Sequence, residues 1–128
     1  MPDAHAPDTV PGHLLGDSAW RAALHILTAN LFAHDRRVWS HVDLQGAGID
    51  FDAILAEGTW SAGERRLLGA AASLFGDPSP AGLVDLTELA GGLDEHGWRL
   101  LLAALALRRA GLRGSPRLPD APPQGGRR

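Results

Sequence analysis

Trp98-Arg-Leu-Leu-Leu-Ala-Ala-Leu-Ala-Leu107 is the segment on which the fold of this 128-residue chain turns. Arg99 is its only polar side chain, and it contains no turn residue. It is too short for a bilayer, which needs about 20 apolar residues. Asp94 stands ahead of it as a cap and Gly111 behind it as a stop, so the spacing predicts a helix over 95–110. Glu95 in its first turn and Arg108 and Arg109 in its last complement the helix dipole. A helix that is apolar on nearly every face calls for burial on nearly every face. The expectation is therefore either the central post of a helical core or half of a subunit interface. Leu101 and Leu105, one turn apart on the Trp98 face, are expected to be nearly fully buried.

Working outward, Ser61-Ala-Gly-Glu64 is a capping box that opens a helix over 62–75, with Leu67, Leu68, Ala71, Leu74 and Phe75 inward. Gly69, Ala70 and Ala72 give that helix a smooth second face where another backbone can approach. Gly76-Asp-Pro-Ser-Pro-Ala-Gly82 reads as a loop. Asp85 caps a short helix over 86–90 that Gly91-Gly92 ends. Upstream, Asp50 opens a helix over 51–57 with Phe51, Ile54 and Leu55 inward and Gly58 as a left-handed stop. Asp35 caps a short helix in which Val38, Trp39 and Val42 share a face, and Gly46 and Gly48 break the chain after it. Trp20, Leu24, Leu27 and Leu31 follow one helical face over 17–33, behind the caps Asp17 and Ser18. The fold class is all-α: a small bundle of about five helices. Residues 17–112 form a single helical domain, 1–16 a flexible lead, and 113–128 a disordered tail of Arg, Pro and Gly.

Composition agrees. The apolar fraction is 45%, dominated by Ala and Leu, which favour helices, while Ile, Val and Thr are scarce and Tyr is absent. Cysteine is absent, which excludes disulfides, thiolate metal sites and cysteine nucleophiles. All 12 basic residues are arginine, a bias that matches GC-rich coding; the missing lysine excludes Schiff-base chemistry and a phosphate-loop lysine. The net charge of −3 hides an uneven spread: 16–112 is acidic and 113–128 basic. An acidic body gives no general attraction to nucleic acid. With no apolar leader at its start and no spanning segment, the chain is expected to be cytoplasmic.

The block from Glu64 to Leu112 has the cadence of a helix-turn-helix unit: supporting helix, short helix, tight glycine-containing turn, longer helix. Leu86-Thr-Glu-Leu-Ala90 resembles the first helix of such motifs, and Leu105-Ala-Leu-Arg-Arg-Ala-Gly-Leu112 resembles the end of a winged recognition helix. The resemblance implies a DNA-binding regulator. It departs from that pattern where bases are read, because Asp94 and Glu95 put carboxylates at the recognition helix's N-terminus, where phosphates would sit.

Metal chemistry has one candidate segment. His34-Asp35 matches the dipeptide of the metal-dependent HD phosphohydrolases, which implies hydrolase chemistry, and His41 and Asp43 follow nearby. Seven residues of helix separate His34 from His41 by about 10 Å, too far for one ion. Asp50-Phe-Asp52 lacks the later oxygen ligands of a calcium loop, and the glycines at 12–16 and 46–48 lack a strand and a Walker lysine. No serine lies in a nucleophile elbow. No catalytic, cofactor-binding or metal-ligating residue is assigned.

Four tryptophans, Trp20, Trp39, Trp60 and Trp98, lie near element ends. Most serve to close the core; Trp20 and Trp39 are the ones read as facing a partner. Pro116-Arg-Leu-Pro119 has a polyproline spacing within the basic tail. An ample apolar surface with an almost empty chemical inventory points to a non-enzymatic interaction or regulatory module. Its partner would be another protein or a second copy, met through the small-residue face of helix 62–75 (Gly69, Ala72) or the helix 95–110. Trp20, Trp39, Arg108 and Arg109 complete the candidate contact set. A helix-turn-helix regulator is the alternative reading, and a metal-dependent hydrolase a third.

Overall fold

A computed structural model describes residues 6, 7 and 10–113. The expectations for the tail, including Pro116–Pro119, lie outside the described residues. Among those described, seven helices and a two-stranded hairpin form a mostly helical domain: α1 Gly12–Leu15, α2 Ser18–Leu27, α3 Arg36–Trp39, α4 Phe51–Ala56, α5 Ala62–Phe75, α6 Leu86–Gly92 and α7 Glu95–Arg113. The hairpin pairs β1 (Val42–Asp43) with β2 (Gly48–Ile49), Val42 opposite Ile49. Its connection is closed by the Asp43 carboxylate, which accepts the Gly46 amide at 2.8 Å.

The centre of the fold is α2. It packs along α7 on one side and along α5 on another, with α1 against its start. Ala22, Ala23, Ile26 and Leu27 are fully buried. Asp17 sets its beginning, accepting the Ala19 amide at 2.9 Å. The helix ends at Leu27, short of the Ala33 to which the apolar spacing extends. Thr28 turns its hydroxyl back onto the Leu24 carbonyl (2.6 Å), and a run of turns through 34 then folds Phe32 into the core. That turn carries Leu31, expected on the buried face, out into solvent. The lead segment is also shorter than its composition suggests, because α1 already buries Leu14.

The second layer is α5, which begins with the expected capping box: Ser61 accepts the Glu64 amide at 3.1 Å and Glu64 accepts the Ser61 amide at 2.8 Å. It ends at Gly76, whose φ of 86° is a left-handed conformation suited to glycine. The helix α4, the 3₁₀ turn Pro80–Gly82 and α6 all pack against α5. A Cβ at Gly69 would come within 3.2 Å of Val84 Cγ1. The smooth face of α5 is thus covered by its own chain, and Ala72 is fully buried. Ala72 is thereby closed off, while Gly69 is buried at the wall of an open hollow beside Leu83 and Val84.

Candidate functional site

The long helix departs most from expectation. Asp94 starts it, its carboxylate accepting the Gly97 amide at 2.7 Å, and Glu95 pairs with Arg99 one turn on (2.7 Å). Of its nineteen residues, only Gly97, Leu101 and Ala104 are buried. Leu101 is 4% exposed, as expected, but Leu105 is 42% exposed. The helix lies on the outside of the bundle, so it is not a central post. Gly111 does not stop it either, since α7 continues to Arg113.

Two seams run side by side along α7. The inner seam is Gly97, Leu101, Ala104, Arg108 and Gly111, at alternating steps of four and three residues. Every seventh position in it (Gly97, Ala104, Gly111) is small, which lets α7 lie close to its neighbours. A Cβ at Gly111 would collide with the Ser18 side chain at the start of α2, so glycine is there for close approach. Arg108 locks the same corner: its Nε donates to the Leu74 carbonyl (2.9 Å) and its Nη1 to Ser18 Oγ (2.8 Å). Arg108, expected to meet a partner, is thereby engaged within its own domain.

The outer seam is the inner one shifted by one residue: Trp98, Leu102, Leu105, Arg109 and Leu112. One residue is about 100° of helix, so this stripe flanks the packed one. Leu102 is 45% exposed, Leu105 42% and Leu112 69%; Trp98 is half-buried and Arg109 exposed. Three exposed leucines in heptad register on one helix form a linear apolar patch. Leu83 and Leu86 are also exposed, around the start of α6, and Leu15 at the end of α1. Of the six contact residues expected from the sequence, only Arg109 falls on the α7 patch.

The tryptophans sort differently from expectation. Trp20 is 5% exposed and meets Phe75 edge-on at 4.9 Å; Trp39 is 6% exposed and donates its indole N–H to the Phe32 carbonyl at 2.9 Å. Both are core residues. Trp60 is buried too, with its N–H on the Ile54 carbonyl. Trp98 is the tryptophan that reaches the surface, and its place in the outer seam is visible in the spacing.

The segment considered for metal binding is built for structure. Asp35 caps α3 and holds Arg37, accepting from its amide (2.9 Å), Nε (3.0 Å) and Nη2 (2.7 Å). That guanidinium also donates to Thr59 Oγ1 (2.9 Å) and lies 3.7 Å over the Trp60 ring. The Arg37 hydrogen bond holds the Asp35 carboxyl below the usual carboxylate range, against the opposing effect of burial. Thr59 sits at φ 59°, a costly conformation for a β-branched residue, and Arg37 bonds it there. His41 pairs with Glu57 at 2.6 Å. An open hollow beside the hairpin is lined by His41, Asp43, Asp50, Asp52 and Asp77, but Asp43, Asp50 and Asp77 each accept a nearby backbone amide and so shape their own turns. Among the described residues no group of three or more His, Asp or Glu is arranged to hold an ion.

No family model, curated protein or solved structure matches the chain. Among the described residues no helix is long and apolar enough to cross a membrane.

Proposed function

We propose that this chain is an interaction module that acts by binding rather than by catalysis, and that its contact surface is the outer seam of α7. The observation that carries this reading is the heptad-spaced exposure of Leu102, Leu105 and Leu112 beside an already packed seam. An exposed apolar stripe costs solubility, and a docking helix or groove removes that cost. The cytoplasm is the compartment proposed for it. The test is a photoreactive phenylalanine analogue placed at Leu105 and, as a control, at Arg99, both exposed. Irradiation in the producing cell is expected to yield protein adducts from position 105 and none from 99. Absence of adducts from both positions would overturn the reading.

A helix-turn-helix regulator has narrower support. The short helix, two-residue link and long helix are present as α6, Leu93-Asp94 and α7, but Asp94 just ahead of α7 and Glu95 and His96 at its start are exposed. Carboxylates there oppose phosphate contact. Titration of random duplex DNA at two salt concentrations separates the readings: binding that falls steeply with added salt and survives substitution of Arg113, Arg117, Arg127 and Arg128 by Gln would favour the regulator.

A further inference from the structure

We infer that the occupant of the α7 outer seam is the same seam of a second copy, with the two helices antiparallel. The inference rests on the interaction reading above and goes further by naming the partner and its orientation.

Charge decides it. In a parallel pair each seam position meets its own counterpart. Arg109 would face the partner's Arg109 inside the apolar stripe, and Glu95 the partner's Glu95, with like charges opposed at both ends. In an antiparallel pair the steps of four and three interlock about a two-fold axis between Leu102 and Leu105. Leu102 then meets the partner's Leu105, and Leu105 the partner's Leu102. Trp98 meets the partner's Arg109, a guanidinium over an indole. Glu95 comes level with the partner's Leu112, beside the basic end of that helix at Arg113. The stripe is thus complementary to itself under a two-fold rotation, which is the condition for a closed dimer.

One helix pair is a small interface, toward the low end of about 1,200 Å² of total buried area, so the dimer should be reversible and micromolar. Sedimentation of the full chain from low micromolar to sub-millimolar concentration is expected to show a monomer–dimer equilibrium. Replacing Leu102 and Leu105 together by Gln should weaken it by about tenfold or more while leaving the dilute chain folded, because both side chains are exposed.

Orientation has its own test, made clean by the absence of native cysteine. Glu95→Cys and Leu112→Cys chains are prepared separately, then mixed and mildly oxidised. Antiparallel pairing puts position 95 opposite the partner's 112, whereas each position lies about 25 Å along the axis from its own copy. A disulfide dimer in the mixture, and in neither variant alone, is the expected result. Disulfide dimers in each variant alone would show parallel pairing and overturn the proposal, as would a chain that stays monomeric throughout. A pure monomer that still crosslinks through position 105 to another protein in the cell would overturn self-pairing and leave the interaction reading standing.

Discussion

The helices α2 and α7 invert what their sequences suggest. The nineteen-residue α7 carries the densest leucine run in the chain, yet only three of its residues are buried. The ten-residue α2 is interrupted by Arg21 and His25, yet it buries six: Trp20, Ala22, Ala23, Leu24, Ile26 and Leu27. Burial follows the number of neighbours an element has, and α2 is enclosed by α1, α5 and α7 while α7 rests mainly on α2 and α5. Apolar residues in excess of what neighbours can cover become surface, and such a surface is the first place to look for a partner.

Truncating one leucine in each helix puts the contrast under the greatest strain. Leu27→Ala should cost about 2–5 kcal/mol, since Leu27 is fully buried and leaves a cavity. Leu105→Ala should stay within about 0.5 kcal/mol in the dilute chain. Chemical denaturation of both variants reads the contrast directly, and equal losses would show that α7 is as central as its sequence implies.

The joint between the two helices is tested next. Gly111→Val should destabilise by about 1–3 kcal/mol, because the new side chain has to displace Ser18. Ser18→Gly in the same chain should recover part of the loss. A stable Gly111→Val with no change in melting temperature would mean that α7 does not approach α2 at this end.

Outside both helices, Ser61→Ala should cost about 0.5–2 kcal/mol by removing the acceptor of the Glu64 amide. Its melting temperature should fall less than that of Leu27→Ala and more than that of Leu105→Ala, which calibrates the two extremes.

The smallest effect expected is a pH dependence. The Asp35 carboxyl has a folded pKa below its ordinary value of 3.8, so its contribution is fully present above that value. It is lost as the pH falls from about 4 through the lowered folded pKa. Unfolding curves across the acid range should therefore flatten in Asp35→Asn relative to the parent. Identical pH profiles would mean that the Arg37 contact contributes nothing.

Much of the local structure was legible. Asp17, Asp35, Asp50, Ser61, Asp85 and Asp94 all accept amides at helix starts, as read from the sequence, because a cap needs only the few residues that follow it. The bounds of α5 agree residue for residue, set by a capping box and a left-handed glycine. The early end of α2 was not legible: the apolar spacing runs on to Leu31, but placing Phe32 in the core outweighs one more helical turn. Nor was the burial of Trp20, Trp39, Gly69 and Ala72, which comes from segments distant in sequence or from a following loop.

Read alone, the sequence establishes that the chain is helical, where most helices begin, and that α7 carries more apolar surface than one contact needs. It also contains both heptad seams of α7. Which of them faces inward was settled by packing in three dimensions. The two differ by a single residue, and either presents leucines at the right spacing. The choice fell to the seam with glycine or alanine at every seventh position, whose small residues let α7 lie close to α2 at Gly111 and to Leu67 of α5 at Gly97. Among the described residues no further element covers the leucines left over.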